Sequence, residues 1–171
     1  QRKRHLVMCI ESLGCCFLEQ GKLLEADAAC TEALGLVTQR PYVDTGLTWA
    51  ATLGMARLRT QQGKHDEADT LLAEALEGAR KLPGPRQNVR IALTLFVRAV
   101  NYDGQGRAND AEPPLEQALR RVENIPEGGD PYVLASLLNC AQLLRKAGRR
   151  GAAERIETYL RAGAQRPADV D

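Results

Sequence analysis

Aromatic side chains are scarce in this chain of 171 residues: they make up 4% of it, with a single tryptophan, Trp49. A sheet sandwich leans on aromatic and β-branched residues, so the scarcity favours small side chains packed between helices instead. Charge of either sign is not in excess. Lysine and arginine total 23 against 22 aspartates and glutamates, a formal net charge of +1, so no global field draws nucleic acid or an anionic membrane as a partner. No apolar run approaches the ~18 residues that a membrane span needs, and no secretory signal is visible. Histidine is limited to His5 and His65, far apart and without the cysteine or carboxylate spacing of a metal site. That pattern argues against imidazole catalysis, a bound metal or another cofactor, and reads both as surface histidines, His65 in a turn. The five cysteines, Cys9, Cys15, Cys16, Cys30 and Cys140, are odd in number and include no CxxC pair. Most fall at helical positions expected to be buried, which fits reduced core thiols in a cytoplasmic protein. Adjacent helical residues point ~100° apart, so Cys15 and Cys16 make no nucleophilic pair. Gly104 and Gly106 lack the third glycine and the preceding strand of a dinucleotide fingerprint.

What the chain does have is a recurrence of small residues. Gly63 is followed by Ala68 and Ala75; the spacing returns as Gly21, Ala26, Ala33, as Gly106, Ala111, Ala118, and as Gly148, Ala153, where Leu160 replaces the last alanine. Seven residues before each glycine stands another small residue: Gly14, Ala56, Ala99 or Ala141. Successive glycines lie 42, 43 and 42 residues apart. Apolar residues at helical spacing on both sides of each glycine predict two helices per unit, broken by a residue that adopts positive φ without penalty. The helices are expected near 3–19, 23–37, up to 62, then 66–81, 88–102, 110–122, 132–146 and 151–161. Pro41, the LPGP of Leu82 to Pro85 and the NIPEGGD of Asn124 to Asp130 separate the units. Asp44 and Asn109 are the expected caps, and two successive prolines, Pro113 and Pro114, predict a distorted turn. In the first helix Ile10, Leu13 and Phe17 with Gly14 form the inward stripe. In the last, Ala152, Ala153, Ile156, Tyr159 and Leu160 share one face and Glu154, Thr158 and Arg161 the other. Residues 165–171 read as a disordered tail.

This order of small residues resembles the tetratricopeptide repeat, in the longer, 42-residue variety of kinesin light chains. GRANDAEPPLEQAL is similar to the Gly-basic-x-x-Glu-Ala-Glu-Pro-Leu opening of that variety at Gly106, Arg107, Ala111, Glu112, Pro113 and Leu119, and LLNCAQLL keeps Asn139 and Ala141 of its Leu-Asn-Asn-Leu-Ala pattern. The resemblance implies an all-α solenoid, a right-handed superhelix of four helix-turn-helix units at about 3–40, 43–82, 86–125 and 130–164. These would form a single array over 1–164. It also implies a non-catalytic module that binds a peptide or protein on a concave surface lined by the first helix of each pair.

The first-helix positions away from the Leu13, Gly14 and Phe17 face are Glu11 and Cys15; Leu53, Arg57 and Gln61; Phe96, Val100 and Asp103; and Leu138, Gln142, Arg145 and Lys146. The middle is apolar, from Leu53 through Phe96 to Leu138, with Arg57, Asn139 and Gln142 at its border. That suits an apolar peptide anchor with polar edges; the same apolar residues are core if their helix face turns inward. The Lys, Arg and Asn set with which chaperone-binding relatives grip a terminal carboxylate is not present. Self-association through exposed apolar faces is the alternative use, and a third is the docking or sensor segment of a larger signalling protein, to which a start at Gln1 lends itself. The basic cluster of Arg145, Lys146, Arg149, Arg150 and Arg155 reads as a solvated basic end, since few aromatics are present to stack on RNA.

Overall fold

The computed structural model describes residues 2–38, 45–84, 86–125 and 131–164. Among these the chain is all-α, with eight helices and no strand: α1 Arg2–Glu19, α2 Leu23–Thr38, α3 Thr45–Gln61, α4 His65–Arg80, α5 Gln87–Gly104, α6 Ala108–Glu123, α7 Pro131–Lys146 and α8 Arg150–Ala164. They pair in sequence as four hairpins, α1 with α2, α3 with α4, α5 with α6 and α7 with α8.

Each hairpin turns on its glycine in the same way. Gly21, Gly63, Gly106 and Gly148 have φ of 71°, 72°, 72° and 79°, the left-handed region that a Cβ disfavours. The residue after each glycine donates its N–H five residues back: Lys22 to Phe17 at 2.9 Å, Lys64 to Arg59 at 2.9 Å, Arg107 to Tyr102 at 2.9 Å and Arg149 to Leu144 at 2.8 Å. These bonds close the last carbonyls of the first helix, and the next helix starts at once. A basic residue stands at all four of these junctions. Glu25, Asp66 with Glu67, and Asp110 place acid in the first turn of α2, α4 and α6, where the helix dipole favours it.

The chain separates into two compact units, Gln1–Leu82 and Pro83–Asp171, with the border in the LPGP stretch. Inside unit 1, α2 packs on α3 and α1 also touches α3. Ala33 and Val37 meet Leu47 and Ala51, with Val7 in the same cluster. Ala26 and Cys30 meet Met55 and Leu58, with Leu18 beneath them. Alanine at these places lets the helix axes approach to the near end of the ~8–10 Å range. Inside unit 2, α5 meets α7 and α6 meets α8. Its buried residues include Phe96, Ala99, Ala111, Ala118, Val122, Leu137, Ala141, Leu144, Ala153 and Ile156. In unit 1 Ala56, Ala68, Leu72 and Ala75 are equally closed to solvent, and Gly14 is buried because Cys30 Sγ would lie 3.2 Å from a Cβ there.

Several local expectations need correcting. Leu13 is half exposed, and the inward stripe of α1 is Val7, Gly14 and Leu18 with Ile10 and Phe17 at its flanks. Asn109 is the second residue of α6, not its cap: Arg107 occupies the cap position with no side-chain hydrogen bond, because the glycine turn leaves no room for a separate capping residue. α6 also runs through Pro113 and Pro114. They deprive only the carbonyls of Asn109 and Asp110, both on exposed residues that water serves. His65 opens α4 and does not sit in a turn. Only Cys30 and Cys140 are buried, while Cys15 is intermediate and Cys9 and Cys16 are exposed, because the α1 face that carries the last two is uncovered. In α8, Ala153 and Ile156 are buried and Glu154, Thr158 and Arg161 exposed. Asp44, residues 126–130 and the 165–171 tail lie outside the described residues.

Candidate partner-binding faces

The first helices carry the candidate positions, and register decides which of them meet. Within unit 1, Glu11, Cys15 and Glu19 follow one another at four-residue steps along α1, on the side that α3 approaches with Arg57. The Arg57 guanidinium makes an ion pair with Glu19 at 2.7 Å and donates to Cys15 Sγ at 3.7 Å, so it fastens α3 to α1. Leu53 is buried and Gln61 exposed. Glu11 takes the place in its repeat that Leu53 takes in the next, an apolar position. Burial there pushes its carboxyl up from 4.5 to about 7, because desolvation penalises the charged form. Two thiols, Cys15 and Cys30, are held in the neutral form for the same reason. Burial raises Cys15, with the Arg57 charge opposing it, and raises Cys30 to about 11, far from the thiolate that nucleophilic chemistry needs.

Arg59 is the second clamp in unit 1. It reaches Asp27 of α2 at 2.8 Å and Glu67 of α4 at 2.9 Å, and donates to Gln62 at 2.6 Å.

Within unit 2, Phe96 is fully buried and Val100 partly so; Phe96 is a core residue. On α7 the counterpart positions face outward. Leu134 and Leu138 are 38% and 48% exposed, and Asn139 and Gln142 are exposed beside them. At four-residue steps Leu134, Leu138 and Gln142 make one strip along the helix. The strip ends at Arg145, which holds Glu157 of α8 through two hydrogen bonds of 2.8 Å. Those bonds keep the Glu157 carboxyl below its ordinary value and raise Arg145.

Sequence reasoning missed what the basic cluster does. Three of its arginines are joined to carboxylates and do not form a free basic end. Arg149, at the α7–α8 turn, pairs with Asp103 of α5 at 2.6 Å and with Glu112 of α6, and these bonds raise its pKa. Arg155 of α8 pairs with Glu116 at 2.9 Å and Glu123 at 2.6 Å, both on α6. The repeat register carried no signal for it: 42 residues before Arg149 and Arg155 stand Arg107 and Pro113, and the carboxylate partners lie between 32 and 46 residues back.

Among the described residues no group of three or more His, Cys, Asp or Glu is placed to hold a metal ion, and no helix is long and apolar enough to cross a membrane. No curated protein matches the chain. A tetratricopeptide repeat family model matches residues 48–124, the stretch that holds most of α3 and all of α4 and α5, and α6 to its end. Together with four hairpins closed by one glycine geometry, that match supports the tetratricopeptide repeat family as the one to which this sequence is related.

Proposed function

We propose that the chain is a non-catalytic module that binds a peptide or protein partner on the exposed side of its first helices, with α7 as the main contact. The observation that carries this reading is the strip of Leu134, Leu138 and Gln142 with Asn139 at its edge: two half-exposed leucines bordered by amides. Such a strip offers an apolar anchor point and hydrogen-bonding groups that fix the register of a bound chain. Tetratricopeptide repeats are generally protein-interaction modules, and the 42-residue period supports the longer variety of the repeat. Five free thiols fit a reducing, cytoplasmic setting. The corresponding first-helix positions are Phe96 and Val100 on α5 and, by itself in unit 1, Leu53, Arg57 and Gln61 on α3.

A displayed library of random peptides, selected on the full chain, tests the reading. Enriched peptides should share an apolar residue, and Leu138→Asp should abolish their capture while leaving the helical circular dichroism intact, since Leu138 is half exposed. Failure to enrich any peptide, or enriched peptides that bind Leu138→Asp as well as the parent, would remove α7 as the contact.

A further inference from the structure

We propose that Glu11 of unit 1 is a cation site, whose carboxylate receives a lysine or arginine side chain of a bound peptide. The site rests on the reading of the first helices as the side that binds a partner, and it names what that partner brings to α1. The other half-buried carboxylates of α1 and α2 have cations of their own: Glu19 holds Arg57 at 2.7 Å and Asp27 holds Arg59 at 2.8 Å. Glu11 does not. Among the described residues no ion pair or hydrogen bond reaches its carboxyl. Arg57, the cation that α3 presents to this column, is engaged by Cys15 and Glu19, four and eight residues further along α1.

An acid in this place costs the free chain stability. The same position is Leu53 in the next repeat and Phe96 in unit 2, both buried, and desolvation holds the Glu11 carboxyl up at about 7. A half-buried carboxyl that lacks a counter-charge is completed by one that arrives with a ligand, because a charge-assisted hydrogen bond gains most where water is already displaced. The open side of α1 gives access. Met8, one turn earlier, is 46% exposed and Ser12 is exposed beside Glu11, so the apolar stem of a lysine or arginine lies on Met8 while its charged end meets the carboxylate. Cys9, Leu13 and Cys16 point ~140–160° away around the helix, and the site is separate from that uncovered face.

The cation must replace a proton. The neighbouring groups are Cys15 on α1, Cys30 and Asp27 on α2 and Arg57 on α3. Burial keeps both thiols neutral near pH 7, and Asp27 and Arg57 are joined to Arg59 and Glu19. The proton that moves in that range is therefore the one on Glu11, and affinity for a basic peptide rises with pH through about 7 and levels off above it.

The probes are N-acetyl-lysinamide and N-acetyl-argininamide, compared with N-acetyl-norleucinamide at equal ionic strength. Carbon NMR of the glutamate carboxyls of the full chain reads the result, with the Glu11 signal identified by its loss in Glu11→Gln. The cationic probes should lower the Glu11 midpoint by about one unit, a tenfold coupling, and the norleucine probe should leave it in place. Peptides enriched from a displayed library on the full chain should carry lysine or arginine, and should bind Glu11→Gln about tenfold more weakly at pH 8. Glu25→Gln, which neutralises an exposed carboxyl of α2, should bind them as the parent does, and Trp49 fluorescence reports that unit 1 of each variant is folded. A Glu11 midpoint near 4.5 in the free chain, one that the cationic probes leave unmoved, or one that the norleucine probe moves equally overturns the site. Enriched peptides lost on Leu138→Asp but not on Glu11→Gln also overturn it and keep the α7 contact. The converse pattern keeps the Glu11 site and removes α7.

Discussion

Unit 1 and unit 2 each stack two hairpins of the same register, and both combine buried apolar side chains with arginines that reach back to the first hairpin, placed at different helices. In unit 1 the joint between α2 and α3 is apolar and built on alanine, with Ala26, Cys30, Ala33 and Val37 against Leu47, Ala51, Met55 and Leu58. Arg57 and Arg59 of α3 also reach back, to Glu19 of α1 and Asp27 of α2. In unit 2 arginines of the second hairpin reach back to carboxylates of the first: Arg149 to Asp103 and Glu112, Arg155 to Glu116 and Glu123. The glycine turn and the alanine positions therefore define each hairpin, while the joint between hairpins draws on burial and on charge together. The two contributions respond differently to solution conditions. Burial of apolar area is indifferent to moderate salt, whereas partly exposed ion pairs are screened over a Debye length of ~8–10 Å.

The sharpest test of the apolar joint is Leu58→Ala. Leu58 is fully buried between α2 and α3, and truncating it removes transfer free energy and leaves a cavity, a loss of about 2–5 kcal/mol. Trp49, the only tryptophan, is buried in the same helix, so its fluorescence follows unit 1. The Trp49 transition should move to lower denaturant by the same amount in dilute and in concentrated salt. A transition that stays in place would mean that the joint is not where unit 1 holds together.

Arg149→Met tests the charged joint at its least exposed point. The Arg149 side chain is 21% open to solvent and that of Asp103 is 15%, and the variant leaves Asp103 half-buried without its cation. A loss of about 1–3 kcal/mol is expected, read as faster amide hydrogen exchange in α5 to α8 with α1 to α4 unchanged. Concentrated salt should shrink the difference between variant and parent. A salt-independent loss would make Arg149 a packing residue, and the contrast between burial and charge would fail.

How far the sequence already contained this picture depends on the kind of interaction. Hairpins are local: a glycine at positive φ and alanines at seven-residue spacing act within a single pair of helices, and helix limits read from them fall within about two residues of those observed at most ends. Which side of a first helix is covered is not local. Phe96 and Leu138 occupy the same place in successive repeats, yet one is buried and the other half exposed, because coverage depends on neighbouring elements that periodicity cannot express. Leu13 went astray for the same reason. The basic cluster around Arg149 was misread through counting charge along the chain, whereas its partners, Asp103 and Glu112, lie some forty residues earlier.

Glu11 sharpens the comparison from within unit 1, where an acid occupies an apolar place. Its folded value of about 7 lies above the 4.5 of the free group. Between those values the folded chain keeps a proton that the unfolded chain has released, so stability falls as pH rises through this window and levels off above it. A shift of that size corresponds to ~3 kcal/mol at full burial; partial solvent access reduces it to about 1–2 kcal/mol. Glu11→Gln should therefore stabilise unit 1 at about pH 8, and leave it nearly unchanged at about pH 4, by the Trp49 transition. A variant that gives equal gains at both values would show that the carboxyl is solvated and titrates normally.

The smallest effect belongs to Arg155→Gln, and it decides whether the charged joint is one network or separate pairs. Arg155 is 43% exposed, against Glu116 and Glu123 at 47% and 52%, so each pair gains little over hydration and spends side-chain entropy to form. Hydrogen exchange in α6 and α8 should quicken less than in Arg149→Met, and the difference from the parent should vanish in concentrated salt. Combining the two variants should add their effects, because Arg155 and Arg149 share no carboxylate. If Arg155→Gln costs as much as Arg149→Met, or the double variant costs no more than either, the arginines act as one cooperative clamp along α6. The units would then differ in whether their ion pairs are linked, and exposure would no longer explain how unit 2 responds to salt.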